Sequence, residues 1–286
     1  GRYDFNHVYL EAGAVQAGGG GGSAMGGAGR IGLIDGGVDP GHPALRRARI
    51  EQRPFAPGGL SHHPHGAAVA SLLVGDGDRF RGAAPGAALY VADVYGPTPA
   101  GGSAQSIGRA LGWMVQMRAP VINISLVGPP NLALEAAIAA VQRRGHLVVA
   151  AVGNDGPAAP PLYPAAYPGV VGVTAVDTRG RVLPEASRGE HVDFAGPGAD
   201  MAAAGGRGFV AVRGTSFAAP IVAARLSRTL TAPDPRAAAQ AVASLAKEAK
   251  DLGSPGPDRT YGRGLVGADL IVRPASVGAT GVLAGR

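Results

Sequence analysis

Five short apolar runs constrain this chain more than any other feature: Ile31–Ile34, Ala87–Val94, Val121–Ser125, Leu147–Ala151 and Val170–Val176. Near-continuous apolar runs of this length, bounded by turn residues, are the pattern of strands covered on both faces. Segments of helical period lie between them. Ser103 is placed to cap a helix that carries Ile107, Ala110, Leu111, Met114 and Val115 on one face. Residues 131–144 carry Leu134, Ile138 and Val141 on one face, with Arg143 and Arg144 in the last turn and Gly145 at the end. This alternation predicts an α/β fold with a mostly parallel central sheet and helices on both faces. Val192–Ala195 and Phe209–Val212 predict further strands. Asp234-Pro235 opens a helix over 235–252 that Gly253 stops.

The 286 residues suffice for one large domain, assigned to 30–286. Residues 1–29 are expected to be a flexible arm, because 17–29 have glycine-rich linker composition. A linker of that kind has a root-mean-square reach of about 20 Å, enough for residues 1–10 to cover a nearby surface such as a cleft. No apolar run attains the roughly 18 residues of a membrane-spanning helix. The net charge of +6 comes from dispersed arginines and only two lysines, Lys247 and Lys250, which argues against a nucleic-acid partner. The absence of cysteine removes thiol nucleophiles, disulfides and thiolate metal sites.

Four residues carry candidate chemistry. Asp35 ends the first apolar run, before Gly36-Gly37, and an acid there also fits a turn. His65 stands where a loop becomes the small-residue helix Gly66–Val74, a rigid mount for a general base. His62 and His63 lie close by, but the histidines lack convincing metal-ligand spacing. Asn154 follows a core strand within an Asn-Asp-Gly turn and could donate to an oxyanion. Ser216, in Gly214-Thr215-Ser216-Phe217-Ala218-Ala219-Pro220, opens an apolar helix and is read either as its cap or as a nucleophile. A serine hydroxyl needs a base and an orienting acid to attack at neutral pH, and His65 and Asp35 can supply them.

The order Asp, His, Ser and the surrounding motifs resemble the subtilisin-like serine peptidases. The matching pieces are Ile34–Val38 with His42-Pro43, His65-Gly66 with Val69-Ala70, Ile124–Leu126, Ala151–Asn154, Tyr163–Ala165, Ala195–Gly198, Gly214–Pro220 and Tyr261–Gly264, in the family's order. The resemblance implies an endopeptidase acting through an acyl-enzyme, with Ser216 as nucleophile, His65 as base, Asp35 orienting it and Asn154 in the oxyanion hole. It implies a substrate strand along Ser125, Leu126 and Val127, and a primary pocket near Gly153, Tyr163, Pro164 and Ala165. It further implies peptide or protein substrates, a pro-segment or inhibitor at the cleft, and a secreted or periplasmic location. No cofactor is implied, although relatives often bind calcium partly through backbone carbonyls. Competing readings on the same fold are a silent binding protein and a serine esterase or peptidyl transferase.

Two departures from the family pattern carry expectations. Ala67 stands where many relatives have threonine, and Val127 where they usually have glycine. The valine predicts a narrowed pocket rim or a shifted substrate strand, and with it small or medium apolar residues on the acyl side of the cut bond.

Overall fold

The computed structural model describes residues 4–12, 29–97 and 101–279. In chain order the strands are β1 (Val8–Glu11), β2 (Arg30–Asp35), β3 (Arg49–Pro54), β4 (Ala88–Asp93), β5 (Gly102–Ser103), β6 (Val121–Ile124), β7 (Leu126–Val127), β8 (Leu147–Ala151), β9 (Val171–Val176), β10 (Phe194–Pro197), β11 (Met201–Gly205) and β12 (Gly208–Val212). The helices are α1 (Pro64–Val74), α2 (Ala104–Gln116), α3 (Leu132–Gln142), α4 (Thr215–Thr229), α5 (Pro235–Glu248) and the short α6 (Pro274–Val277). Seven strands form one parallel sheet in the order β10-β9-β8-β6-β2-β4-β3. Strands β11 and β12 form a separate antiparallel pair.

The period of two along each strand sorts its side chains between two cores. Ile31, Leu33, Val149, Ala151 and Val173 point into one core, with buried residues of α1, α4 and α5. Ile34, Ile122, Ile124, Val148 and Ala150 point into the other, with α2 and α3. The sheet therefore has helices on both faces, as its apolar runs predict. The cap signals hold as well. Ser106 N–H donates to Ser103 Oγ, Leu134 N–H to Asn131 Oδ1 and Ala237 N–H to Asp234 Oδ1.

Several boundaries differ from the sequence expectation. Helix α5 ends at Glu248 and not at 252, because the backbone N–H and C=O of Lys250 pair with Leu265 and draw the chain off the helix. The strand expected at 192–195 runs over 194–197. The larger correction concerns the N-terminus. Residues 8–11 form a strand, and Tyr9 and Ala12 are buried, so the flexible arm assigned to 1–29 does not describe 4–12. Its order comes from pairing with β5 and β7, more than 90 residues away in sequence, which local composition cannot reveal. The glycine-rich part, 13–28, lies outside the described residues.

Candidate active site

In a parallel sheet every strand points the same way, so residues at the C-terminal ends of neighbouring strands gather at one edge. Asp35 is the last residue of β2, Ser125 follows its neighbour β6, and Asn154 lies just beyond β8. His65 and Ser216 are the second residues of α1 and α4. A Cβ added to Gly66 would stand 2.1 Å from the Gly36 carbonyl oxygen, so glycine is what lets α1 lie against the turn after β2.

The buried Asp35 and His65 are joined through His65 Nδ1, which is 2.9 and 3.0 Å from the two carboxylate oxygens. Gly36 N–H also donates to Asp35 Oδ1 at 2.7 Å. Burial opposes a charge on the imidazole. The charge of Asp35, its hydrogen bond and the charge of Glu11 outweigh that effect and raise the His65 pKa above its ordinary value. The Phe217 ring packs 5.3 Å from the imidazole and links α4 to α1.

Ser216 is not the cap of its helix. That position belongs to Gly214, whose φ of +135° is costly for any other residue, and no side chain caps α4. The Ser216 backbone N–H is thereby free to donate, and it does so to the Ala12 carbonyl at 2.7 Å. The hydroxyl of Ser216 accepts from Ala12 N–H and donates to the Ser125 carbonyl, both at 2.9 Å. His65 Nε2 has no hydrogen-bond partner among the described residues. The side chain of Ser125 ties the helix to the sheet, donating to the Ser216 carbonyl and accepting from Asn123 Nδ2. Thr215 N–H anchors Asn154 Oδ1 at 3.1 Å, which leaves the Nδ2 end of that amide as its donor. Gly153, with φ of +104°, donates its N–H to Thr215 Oγ1 at 3.2 Å.

The segment that supplies Ala12 runs through the cleft as a strand between two edges. Val8 and Tyr9 pair antiparallel with Ser103 and Gly102, and Leu10 and Glu11 pair with Val127 and Leu126. This is the geometry of an extended peptide added to exposed strand edges. Alternation leaves Val8 and Leu10 about half exposed, while the Tyr9 side chain is fully buried. The Tyr9 hydroxyl donates to the Pro129 carbonyl at 2.7 Å, and burial, followed by the influence of Tyr167, raises its pKa. A Cβ on Gly128 would lie 2.6 Å from the Tyr9 ring, so a glycine there makes room for it. Gly128 also exchanges both backbone hydrogen bonds with Tyr163, which ties the Tyr163–Ala165 segment to the end of β7.

Sequence reasoning placed Asp35, His65, Asn154, Ser125, Leu126, Val127 and Ser216 at this one edge. It missed the occupants of the cleft, Tyr9, Glu11 and Ala12, and the residues that receive them, His63, Tyr95 and Gly128. The available signal was the alternation of Tyr9 and Glu11 with exposed apolar neighbours, just before the small pair Ala12-Gly13. Asp39, four residues beyond Asp35, serves a turn by accepting from Gly41 N–H.

A buried Asp–His pair and a serine at a helix N-terminus, gathered on one edge of a parallel sheet, form the constellation of a serine hydrolase. The chain belongs to the subtilase family, whose model matches residues 26–264. It is 31% identical over 249 residues to subtilisin Savinase of Lederbergia lenta, covering 85% of this chain and 90% of that protein. It is 28% identical over 241 residues to the minor extracellular protease Epr of Bacillus subtilis (strain 168), covering 83% of this chain but only 37% of that longer relative. Among solved structures it resembles the prenylagaramide maturation protease PagA, with a TM-score of 0.73, 27% identity and coverage of 88% and 94% of the two chains. It likewise resembles a mutant of the protease domain of PatA, with a TM-score of 0.75, 26% identity and coverage of 85% and 94%. Strand β1 lies outside the residues that the family model matches.

Proposed function

We propose that the chain is a serine endopeptidase and that its own N-terminal segment occupies the cleft in the resting state. The observation that carries this reading is the Ala12 carbonyl. It accepts the Ser216 N–H while the preceding residues pair as an extended peptide. In the reaction, Ser216 Oγ adds to the carbonyl carbon of a bound peptide as His65 Nε2 takes its proton. Asp35 holds the imidazole by Nδ1 and balances the imidazolium that forms. The negative oxygen is met by the Ser216 N–H and the Asn154 side-chain amide. The C–N bond then breaks, His65 returns the proton to the leaving amine, and water repeats the cycle on the acyl-enzyme. Every proton transfer has a protein group, so the chemistry requires no cofactor.

Val127 pairs with the residue two before the carbonyl, and Ala12, at the carbonyl itself, is small. Both support a preference for small or medium residues on the acyl side. The extracellular relative supports a secreted enzyme. The test is a peptide-library digest read by mass spectrometry, with fluorophosphonate labelling in parallel. Cuts after small residues and labelling are expected, and both should vanish in Ser216→Ala. Cleavage that survives in that variant, or is strongest after large aromatic residues, would reject the reading.

A further inference from the structure

Glu11 immediately precedes Ala12, and strand alternation puts its side chain on the same side as the buried Tyr9. It meets His63. Glu11 Oε2 lies 3.7 Å from His63 Nδ1, and neither atom, though shielded from solvent, has a hydrogen-bond partner among the described residues. His63 is held for this contact from three sides. Its ring stacks on Tyr95 with centroids 4.7 Å apart, and its backbone N–H donates to the Gly37 carbonyl at 2.7 Å. A Cβ on Gly36 would come within 2.3 Å of its own Cβ. The same imidazole precedes α1 without capping it, so no hydrogen bond of the helix end accounts for its placement. Two ionisable groups are thus brought together at the position next to the bond that would be cut, one fixed on the domain and one on the peptide.

We infer that His63 reads an acidic side chain at the residue before the small residue of the cut. The preferred substrate class is then a peptide with an aromatic residue, any residue, glutamate and a small residue in that order. This rests on the endopeptidase reading and on taking residues 9–12 as an internal copy of the substrate. Leu10, half exposed between Tyr9 and Glu11, is the position that carries no selection.

The test compares kcat/KM for acetyl-Tyr-Leu-Glu-Ala p-nitroanilide with its glutamine counterpart, on the full chain and on His63→Ala and His63→Gln. The resident segment competes equally with both substrates, so their ratio is independent of how fully it occupies the cleft. The wild type should favour glutamate about tenfold, as expected when a carboxylate meets a partly shielded polar partner, and both variants should bring the ratio close to one. A wild-type ratio near one, which needs no variant to fold, would overturn the inference, as would a tenfold ratio that survives in both variants. Failure of both the wild type and Tyr9→Ala, in which the resident strand loses its buried side chain, to cut either peptide or any peptide in the library would overturn the endopeptidase reading itself. The two failures are therefore distinguishable.

Discussion

His65 sits under two opposed influences, and their balance sets the pH at which the site can work. Burial favours the neutral ring, while the Asp35 charge and hydrogen bond, with Glu11 behind them, favour the imidazolium and raise the pKa. A base must be neutral to accept the serine proton. The acid limb of kcat/KM should therefore fall at a pH above the ordinary histidine value of about 6.5. Asp35→Asn removes the larger opposing charge and leaves only that of Glu11 against burial, so the limb should move to lower pH while the plateau drops by about four orders of magnitude. A pH–rate profile of the two proteins checks both statements, and an unmoved limb would show that Asp35 does not set this balance. Most of this was legible in the sequence, because Asp35, His65 and Ser216 each lie where an apolar run or a small-residue helix fixes their backbone. The rotamer of Ser216 was not legible. Its hydroxyl bridges Ala12 and Ser125 and does not reach His65, a consequence of what fills the cleft.

At the scale of the element, β1 shows how a strand can be specified almost wholly by its partners. Four residues with two exposed apolar side chains would not hold a strand alone. Edges β5 and β7 supply the pairing, and Tyr9 adds a buried side chain whose removal from water is worth about 2–3 kcal/mol. Nothing within residues 1–12 reveals those edges, which is why composition suggested a mobile arm. The polar edge strand β3, Arg-Ile-Glu-Gln-Arg-Pro, escaped notice for a related reason, since no residue in it is fully buried. If β1 guards the serine, Tyr9→Ala should speed fluorophosphonate labelling of Ser216 by roughly 10–100-fold, the effect of losing that burial. Gly128→Ala should act in the same direction, because its methyl group would collide with the Tyr9 ring. Leu10→Lys should leave the rate unchanged. Equal rates in all four proteins would mean that the strand does not limit access.

For the whole molecule, the working geometry depends on three elements, β2, α1 and α4, held in register by one core. The sheet positions Asp35, and α4 runs across it packed on β6, β8, β9 and β10, while α1 leans on α4. These apolar strands were readable because burial on both faces leaves a near-continuous run. The crossing of α1 over α4 was not, because small residues at a helix contact resemble small residues anywhere. Phe217 is the side chain that couples this core to the chemistry, being buried beside Ser216 with its ring on His65. Leu245 in α5 is equally buried in the same core but belongs to a helix that carries no site residue. Truncating either to alanine should cost about 3–4 kcal/mol, which in a domain of this size lowers Tm by roughly 10 °C. The two variants should separate in kinetics. Phe217→Ala leaves the His65 ring unsupported on one side, and kcat/KM for a small-residue peptide should fall at least about tenfold at a temperature where the protein stays folded. Leu245→Ala should keep wild-type kcat/KM at that temperature. If calorimetry shows both variants equally destabilised and activity falls equally in both, the loss is one of global stability, and Phe217 has no separate part in aligning the helices.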